Sequence, residues 1–105
     1  MKDKQIFQLH ADICQALTHP IRLEIIDNLR RGEKSVSQLA EALQAAQGTV
    51  SRHLSVMRTK GVVASRRAGT NVYYRLGSPR ISAAYDEMHL FAVEYLAAQT
   101  KLLTD

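Results

Sequence analysis

Thr49, Ser51, Arg52, His53 and Ser55 place five hydrogen-bonding side chains within seven residues, four of them compact and one a long guanidinium. Arginine can grip guanine O6 and N7 with two parallel bonds, and serine or threonine can meet bases or phosphates. If the run opens a helix, its N-terminal N–H groups also favour phosphate. An amphipathic helix with an ordinary solvated polar face would account for this run alone. The surrounding charge does not fit that reading. From residue 42 to 85 there is no Asp or Glu, while Arg52, Arg58, Lys60, Arg66, Arg67, Arg75 and Arg80 all fall inside. All ten carboxylates lie outside, beside the other seven Lys and Arg, so the net charge of +4 hides a strongly polar molecule. Ordinary surfaces mix signs, whereas a surface of one sign attracts an extended polyanion. The expected DNA-contacting set is Gln47, Thr49, Ser51, Arg52, His53, Ser55, Arg58, Lys60, Arg66, Arg67, Thr70, Asn71 and Tyr73.

Other reactive residues are sparse. His10 and Cys14, four apart, would share one helix face and could begin a metal site completed by another chain, or form a redox or effector site. A twofold dimer could also bring two Cys14 thiols together in an intersubunit disulfide. A free cysteine between Ile13 and Leu17 reads more simply as a small buried hydrophobe. Asp86 and His89 lie three apart, with Glu94 beyond. His19, before Pro20, reads as a capping residue. No metal or other cofactor is called for by these patterns. Enzymatic use of His10 and Cys14 as base and nucleophile finds no Gly-rich loop or convergent acid to support it.

The elements that must carry these residues follow from periodicity. Ile6, Leu9, Ile13 and Leu17 predict a helix over 4–17. Thr18-His19-Pro20 breaks it, and Pro20 suits the first turn of a second helix that carries Ile21, Ile25, Ile26 and Leu29 and stops at Gly32. Ser35-Val36-Ser37-Gln38 opens a third helix, with Ser37 as its expected cap and Leu39, Ala40 and Leu43 inward. After a short connector, Thr49 or Gly48 starts a fourth helix to about Lys60, with Val50, Leu54 and Met57 on its core side. The period then changes. Val62–Arg67 and Val72–Leu76 predict a β-hairpin around residues 68–71. Its basic character also fits an edge hairpin that resists aggregation. Alternation sends one of Tyr73 and Tyr74 inward and leaves open which. A last helix runs from 79 to about 103. The order α-α-α-α-β-β-α, with a short connector before the fourth helix and a basic hairpin after it, is a mainly helical winged helix-turn-helix.

At 105 residues the chain is read as one domain, 1–105. Its helices over 4–17 and 79–103 suit dimerisation, which would enlarge a small core. No apolar run reaches the ~18 residues of a membrane span, and the polar N-terminus lacks a signal-peptide pattern. With one cysteine, an intrachain disulfide is impossible, and a cytoplasmic location is expected.

Three runs carry a family resemblance. They are Leu17 to Ile26 (Leu-Thr-His-Pro-Ile-Arg-Leu-Glu-Ile-Ile), Thr49 to Val63 (Thr-Val-Ser-Arg-His-Leu-Ser-Val-Met-Arg-Thr-Lys-Gly-Val-Val) and Arg67 to Leu76 (Arg-Ala-Gly-Thr-Asn-Val-Tyr-Tyr-Arg-Leu). In this order they resemble the ArsR/SmtB repressors over about residues 10–95. The resemblance implies a homodimeric repressor. Its first and last helices would form the dimer interface, and its fourth would read double-stranded operator DNA. Many such repressors sense metals through Cys-Val-Cys at the start of the third helix. Here Ser35-Val36-Ser37 stands there, and hydroxyls are poor ligands for soft metals. A second family site, on the last helix, is matched only by Asp86 and His89 and lacks its other half. The inducer is thus left open. The competing class is a winged-helix module that binds a protein partner, which the arginine-rich hairpin disfavours.

Overall fold

His19 has extended backbone (φ −141°, ψ 135°), and its Nδ1 accepts the Ile21 N–H at 3.1 Å, so it caps the second helix while Pro20 occupies the first turn. That local chemistry fixes where the second helix begins in the computed structural model, which describes residues 3–104. Eight elements follow one another: α1 (Asp3–Gln15), α2 (Pro20–Leu29), β1 (Lys34–Ser35), α3 (Val36–Leu43), α4 (Gln47–Thr59), β2 (Val63–Ala68), β3 (Asn71–Leu76) and α5 (Pro79–Thr104). The winged helix-turn-helix order expected from periodicity is present, with one added strand.

The first helix stops two residues before the expected 17. Its last turn tightens into short bonds, Ala16 N–H to Ile13 O at 3.0 Å and Leu17 N–H to Cys14 O at 2.9 Å, a usual way to satisfy helix-end carbonyls. The cap of α3 is Ser35, not Ser37. Ser35 Oγ accepts the Gln38 N–H at 3.2 Å, and Gln38 Oε1 accepts the Ser35 N–H at 2.9 Å. This is the reciprocal box that Ser-x-x-Gln makes possible. Ser37 instead lies on the exposed side. The α3–α4 connector is only Gln44–Ala46, because α4 begins at Gln47, earlier than Gly48 or Thr49. No side chain caps it. Gln44 closes α3 in the left-handed conformation (φ 53°), which lets Ala45 N–H reach the Ala40 carbonyl at 3.0 Å.

The core joins Ile25, Ile26 and Leu29 of α2, Leu39 and Ala40 of α3, and Val50, Leu54 and Met57 of α4, with Ala16, Val62 and Val63 completing it. These are the apolar stripes of three helices meeting. The sheet has order β1-β3-β2, all antiparallel. Its base packs on the core through Val63, Tyr74 and Leu76. The hairpin turns over Gly69 and Thr70, with Ala68 opposite Asn71. Gly69 takes positive φ (64°), as tight hairpin turns need. At its base, a Cβ on Gly77 would collide with the Gly61 carbonyl oxygen, so the chain leaves the hairpin in backbone contact with the end of α4.

α5 is anchored at its start only. Ile81 and Tyr85 pack against the core, Tyr85 Oη donates to Asp27 Oδ1 at 3.2 Å, and Arg30 Nη1 donates to Asp86 Oδ1 at 2.9 Å. From Glu87 to Leu103 every residue is exposed. Among them are Met88, Phe91, Tyr95 and Leu96, each at least 59% exposed. α1 contains no buried residue, and its Phe7 is 71% exposed. Two helices thus carry apolar side chains that the protomer leaves uncovered.

Candidate nucleic-acid interface

α4 buries Val50, Leu54 and Met57. The opposite side, at the complementary helical spacing, is Gly48, Arg52, Ser55 and Thr59, all exposed. Thr49 and Ser51 lie half-buried on its two shoulders. Arg52 Nη2 donates to Thr49 Oγ1 at 3.4 Å, a long contact that leaves the guanidinium fork open. The outward stripe therefore presents one cation among small hydroxyls, near the helix N-terminus where base edges come within reach.

The remaining expected residues divide by what holds them. Gln47 Nε2 donates to Ser37 Oγ at 3.1 Å, tying the start of α4 to α3. Arg58 Nη1 reaches Ser65 Oγ of β2 at 3.4 Å and joins the helix to the hairpin. Lys60 lies on the other flank, in a cleft with Asp12, Gln15 and Arg22. His53 does not sit on the outward stripe where the sequence placed it. It is half-buried, its Nδ1 accepts from Arg22 Nε at 3.0 Å, and its ring lies 4.3 Å from that of His19. Burial foremost, then the nearby His19, Arg22 and Arg52, hold its pKa below the ordinary value.

Register sorts the hairpin. Cross-strand partners share a face, so Ser65, Arg67, Val72 and Tyr74 lie on the side of Val63 and Leu76, which pack on the core. Ala64, Arg66, Tyr73 and Arg75 lie on the other side. Tyr74 is the inward tyrosine. Tyr73 lies under the Arg66 guanidinium, 5.0 Å from its ring centre. Thr70 and Asn71 are exposed at the tip.

The two adjacent arginines thus differ in kind. Arg66 is clasped by Glu33 through two parallel bonds, Nε to Oε2 at 2.8 Å and Nη2 to Oε1 at 2.5 Å. That hydrogen bonding, with the fields of Arg66 and Arg75, holds the Glu33 carboxyl below its ordinary pKa. Arg67 is exposed with no such partner, on the face that Ser65 shares with α4. The acid-free stretch of sequence is consequently not acid-free in space. Glu33 precedes β1, and the pairing of Ser35 with Tyr73 brings it beside the hairpin. Glu33 and the Arg22–His53 contact are what sequence reasoning missed. The short β1 carried no pattern, and both contacts join residues more than thirty positions apart.

His10, Cys14 and His89, from two helices, line one apolar cavity of about 970 Å³ between α1, α2 and α5. Cys14 is exposed rather than buried. Asp86 is taken by Arg30, and among the described residues no three His, Cys, Asp or Glu converge as metal ligands. Ser35, at the start of α3, is committed to its cap. Among the described residues no helix is long and apolar enough to cross a membrane.

Known proteins share this arrangement. A profile for "Bacterial regulatory protein, arsR family" matches residues 19–65, from the cap of α2 into β2. The regulator NmtR of Mycobacterium tuberculosis is 39% identical over 85 residues, which are 81% of this chain and 71% of that protein. The repressor SmtB of the same species is 33% identical over 79 residues, 75% of this chain but 58% of that protein's length. A homodimeric winged helix-turn-helix DNA-binding domain from Mycobacterium bovis, described as a possible ArsR-family transcriptional regulator, superposes with a TM-score of 0.81. It is 30% identical, and 91% of each chain is covered.

Proposed function

The chain belongs to the ArsR family of bacterial regulatory proteins, and on that premise we propose that it is a homodimeric, sequence-specific transcriptional repressor of the cytoplasm. The observation that carries this is the outward stripe of α4. It offers Arg52, Ser55 and flanking Thr49 and Ser51, beside a hairpin whose Arg67 is exposed and, among the described residues, has no side-chain partner. In this reading α4 lies in the major groove, and Arg67, Thr70 and Asn71 meet the backbone or the adjacent minor groove. Residues 1–105 act as a single domain, with α1 and α5 as dimer helices, because their uncovered apolar side chains need a partner. A twofold dimer requires a palindromic operator with half-site centres about one helical turn, or a multiple, apart.

An unidentified signal releases the dimer from DNA. A thiolate metal site at the start of α3 is not part of this reading, since Ser35 there accepts a helix N–H. Binding at the dimer helices that alters the spacing of the two copies of α4 would suffice, as coupling of this kind is typically ~1–3 kcal/mol. No catalytic step is required.

The test is a gel-shift survey with fragments flanking its own gene, at about 50 and 200 mM salt. One palindrome-containing fragment is expected to shift selectively, with affinity falling steeply between the two conditions. Absence of any retarded fragment at low salt would replace this reading with the protein-interaction module.

A further inference from the structure

We propose that Arg22 and His53 are positioning residues that form a hydrogen-bonded strut between the reading helix and the end of α1, and that the strut holds only while His53 Nδ1 is unprotonated. The operator arm of the test rests on the function proposed above, and the strut itself does not.

The geometry has a direction. Arginine has only donors, so the 3.0 Å contact from Arg22 Nε requires a lone pair on His53 Nδ1 and places the ring proton on Nε2. The same guanidinium donates through Nη1 to the Gln15 carbonyl at 3.3 Å. Gln15 is the last residue of α1, and its carbonyl also accepts from the Thr18 N–H at 3.3 Å and from Thr18 Oγ1 at 3.0 Å. Thus α1, α2 and α4 meet on one side chain. The His19 ring lies 4.3 Å from the His53 ring, tilted 44° to it, and its own Nδ1 is occupied by the Ile21 N–H. Both imidazoles are therefore used as acceptors.

A proton on His53 removes the acceptor and faces Arg22 with a cation. Among the described residues, the charged or titratable groups that act on the ring are His19 from the turn, Arg22 from α2 and Arg52 from α4, none of them a carboxylate. The one acid of α1 near this cluster, Asp12, lies in the cleft on the Arg22 and Lys60 side and accepts from Gln8. None of those three groups compensates a charged His53. Because its pKa is depressed when closed, the open form binds the proton more readily. Closure is complete above the ordinary imidazole value of 6.5 and weakens as pH falls through it towards the lowered one. His53 is a switch element on the element that reads DNA, and Arg22 links it to the helix where the second copy docks.

The strut is read first without DNA, on the intact dimer, by side-chain NMR and amide exchange. At pH 7.5, His53 is expected as the Nε2–H tautomer, with a protected Arg22 Nε–H signal. Between pH 6.5 and 5 that signal should vanish in step with His53 titration, and protection factors in α4 should fall about tenfold relative to α3. Asn places an acceptor oxygen close to where Nδ1 was, so His53→Asn should keep the Arg22 signal and abolish the pH step. His53→Leu should lose the signal at every pH. Unchanged α4 protection through the titration, or a step that persists in His53→Asn, overturns the proposal. On operator DNA at pH 7.5, His53→Leu should lose about tenfold in affinity while retaining binding to random duplex, and His53→Asn should recover most of that loss. Equal losses on both duplexes, or no loss in His53→Leu, would remove the positioning role whatever the free protein shows.

Discussion

Neighbouring side chains of the same type can have opposite availability, and the hairpin arginines show it. Arg66 already has two carboxylate oxygens, so DNA must outcompete Glu33 for it, whereas Arg67 needs no exchange. Arg67→Ala is therefore expected to weaken binding to any duplex several-fold more than Arg66→Ala. Glu33→Gln removes a negative charge and frees a cation. It should strengthen non-specific binding and steepen the dependence of log K on log salt by about one. Fluorescence anisotropy across a salt series measures both, and an unchanged slope in Glu33→Gln would place Arg66 away from phosphate. Glu33 also gives the pair a pH sign. Its carboxyl is held below its ordinary value, so the clasp is present above that value and is lost as pH falls through the lowered one. Arg52 is different again, because its fork is open on the outward stripe. Arg52→Ala should narrow the preference for operator over random duplex by about 1–3 kcal/mol, while lowering random-duplex affinity little. Equal losses in a competition assay would move the reading role to another residue.

Among the elements, the long periodic ones were legible and the short ones were not. Ile25, Ile26 and Leu29, then Val50, Leu54 and Met57, repeat at helical spacing and are buried as that spacing requires. β1 has two residues, too few to alternate, and it forms only because β3 offers an edge. The cap of α3 was readable in principle, since Ser35 stands three before Gln38, but Ser37 competes for the same role by type. The start of α4 was not readable, because Ala46 leaves no capping signature. His53 was assigned to the polar side because histidine is polar, yet its helical position faces α2. These distinctions carry stability consequences. Ser35→Ala should cost about 1 kcal/mol, and Ser37→Ala much less. Gly77→Ala should cost more than either, since the Gly61 backbone must move. Urea unfolding of the three variants ranks them, and a larger cost at Ser37 would contradict the box.

For the whole molecule, charge and apolar surface are segregated. Basic side chains gather on α4 and the hairpin, while uncovered apolar ones gather on α1 and the distal two-thirds of α5. The charge division was visible in the sequence because it is nearly contiguous there, and among the described residues Glu33 crosses it by pairing with Arg66. The apolar division was visible as stripes, but which stripes the protomer itself would cover was a matter of three-dimensional reach. Leu96→Glu, on an exposed turn of α5, should dissociate the dimer without reducing helix content. Sedimentation equilibrium beside circular dichroism tests this, and a variant that stays dimeric would move the interface off α5. Dissociation should also reduce operator affinity far more than affinity for a single half-site, since two matched reading helices act together.

The backbone contact between Gly61 and Gly77 makes residues 61–77 a loop whose ends touch. The path from α4 into α5 is therefore set by that crossing and not by what the hairpin does beyond it. The hairpin tip, residues 67–72, is separable from that crossing, whereas Val62, Val63, Tyr74 and Leu76 at its base belong to or pack on the core. The length, turn and charges of that tip should be exchangeable without altering how α5 leaves the body or how a second copy would meet it. A chimera carrying a longer or acidic tip in place of residues 67–72 should keep its fold and its assembly while changing its contacts with nucleic acid.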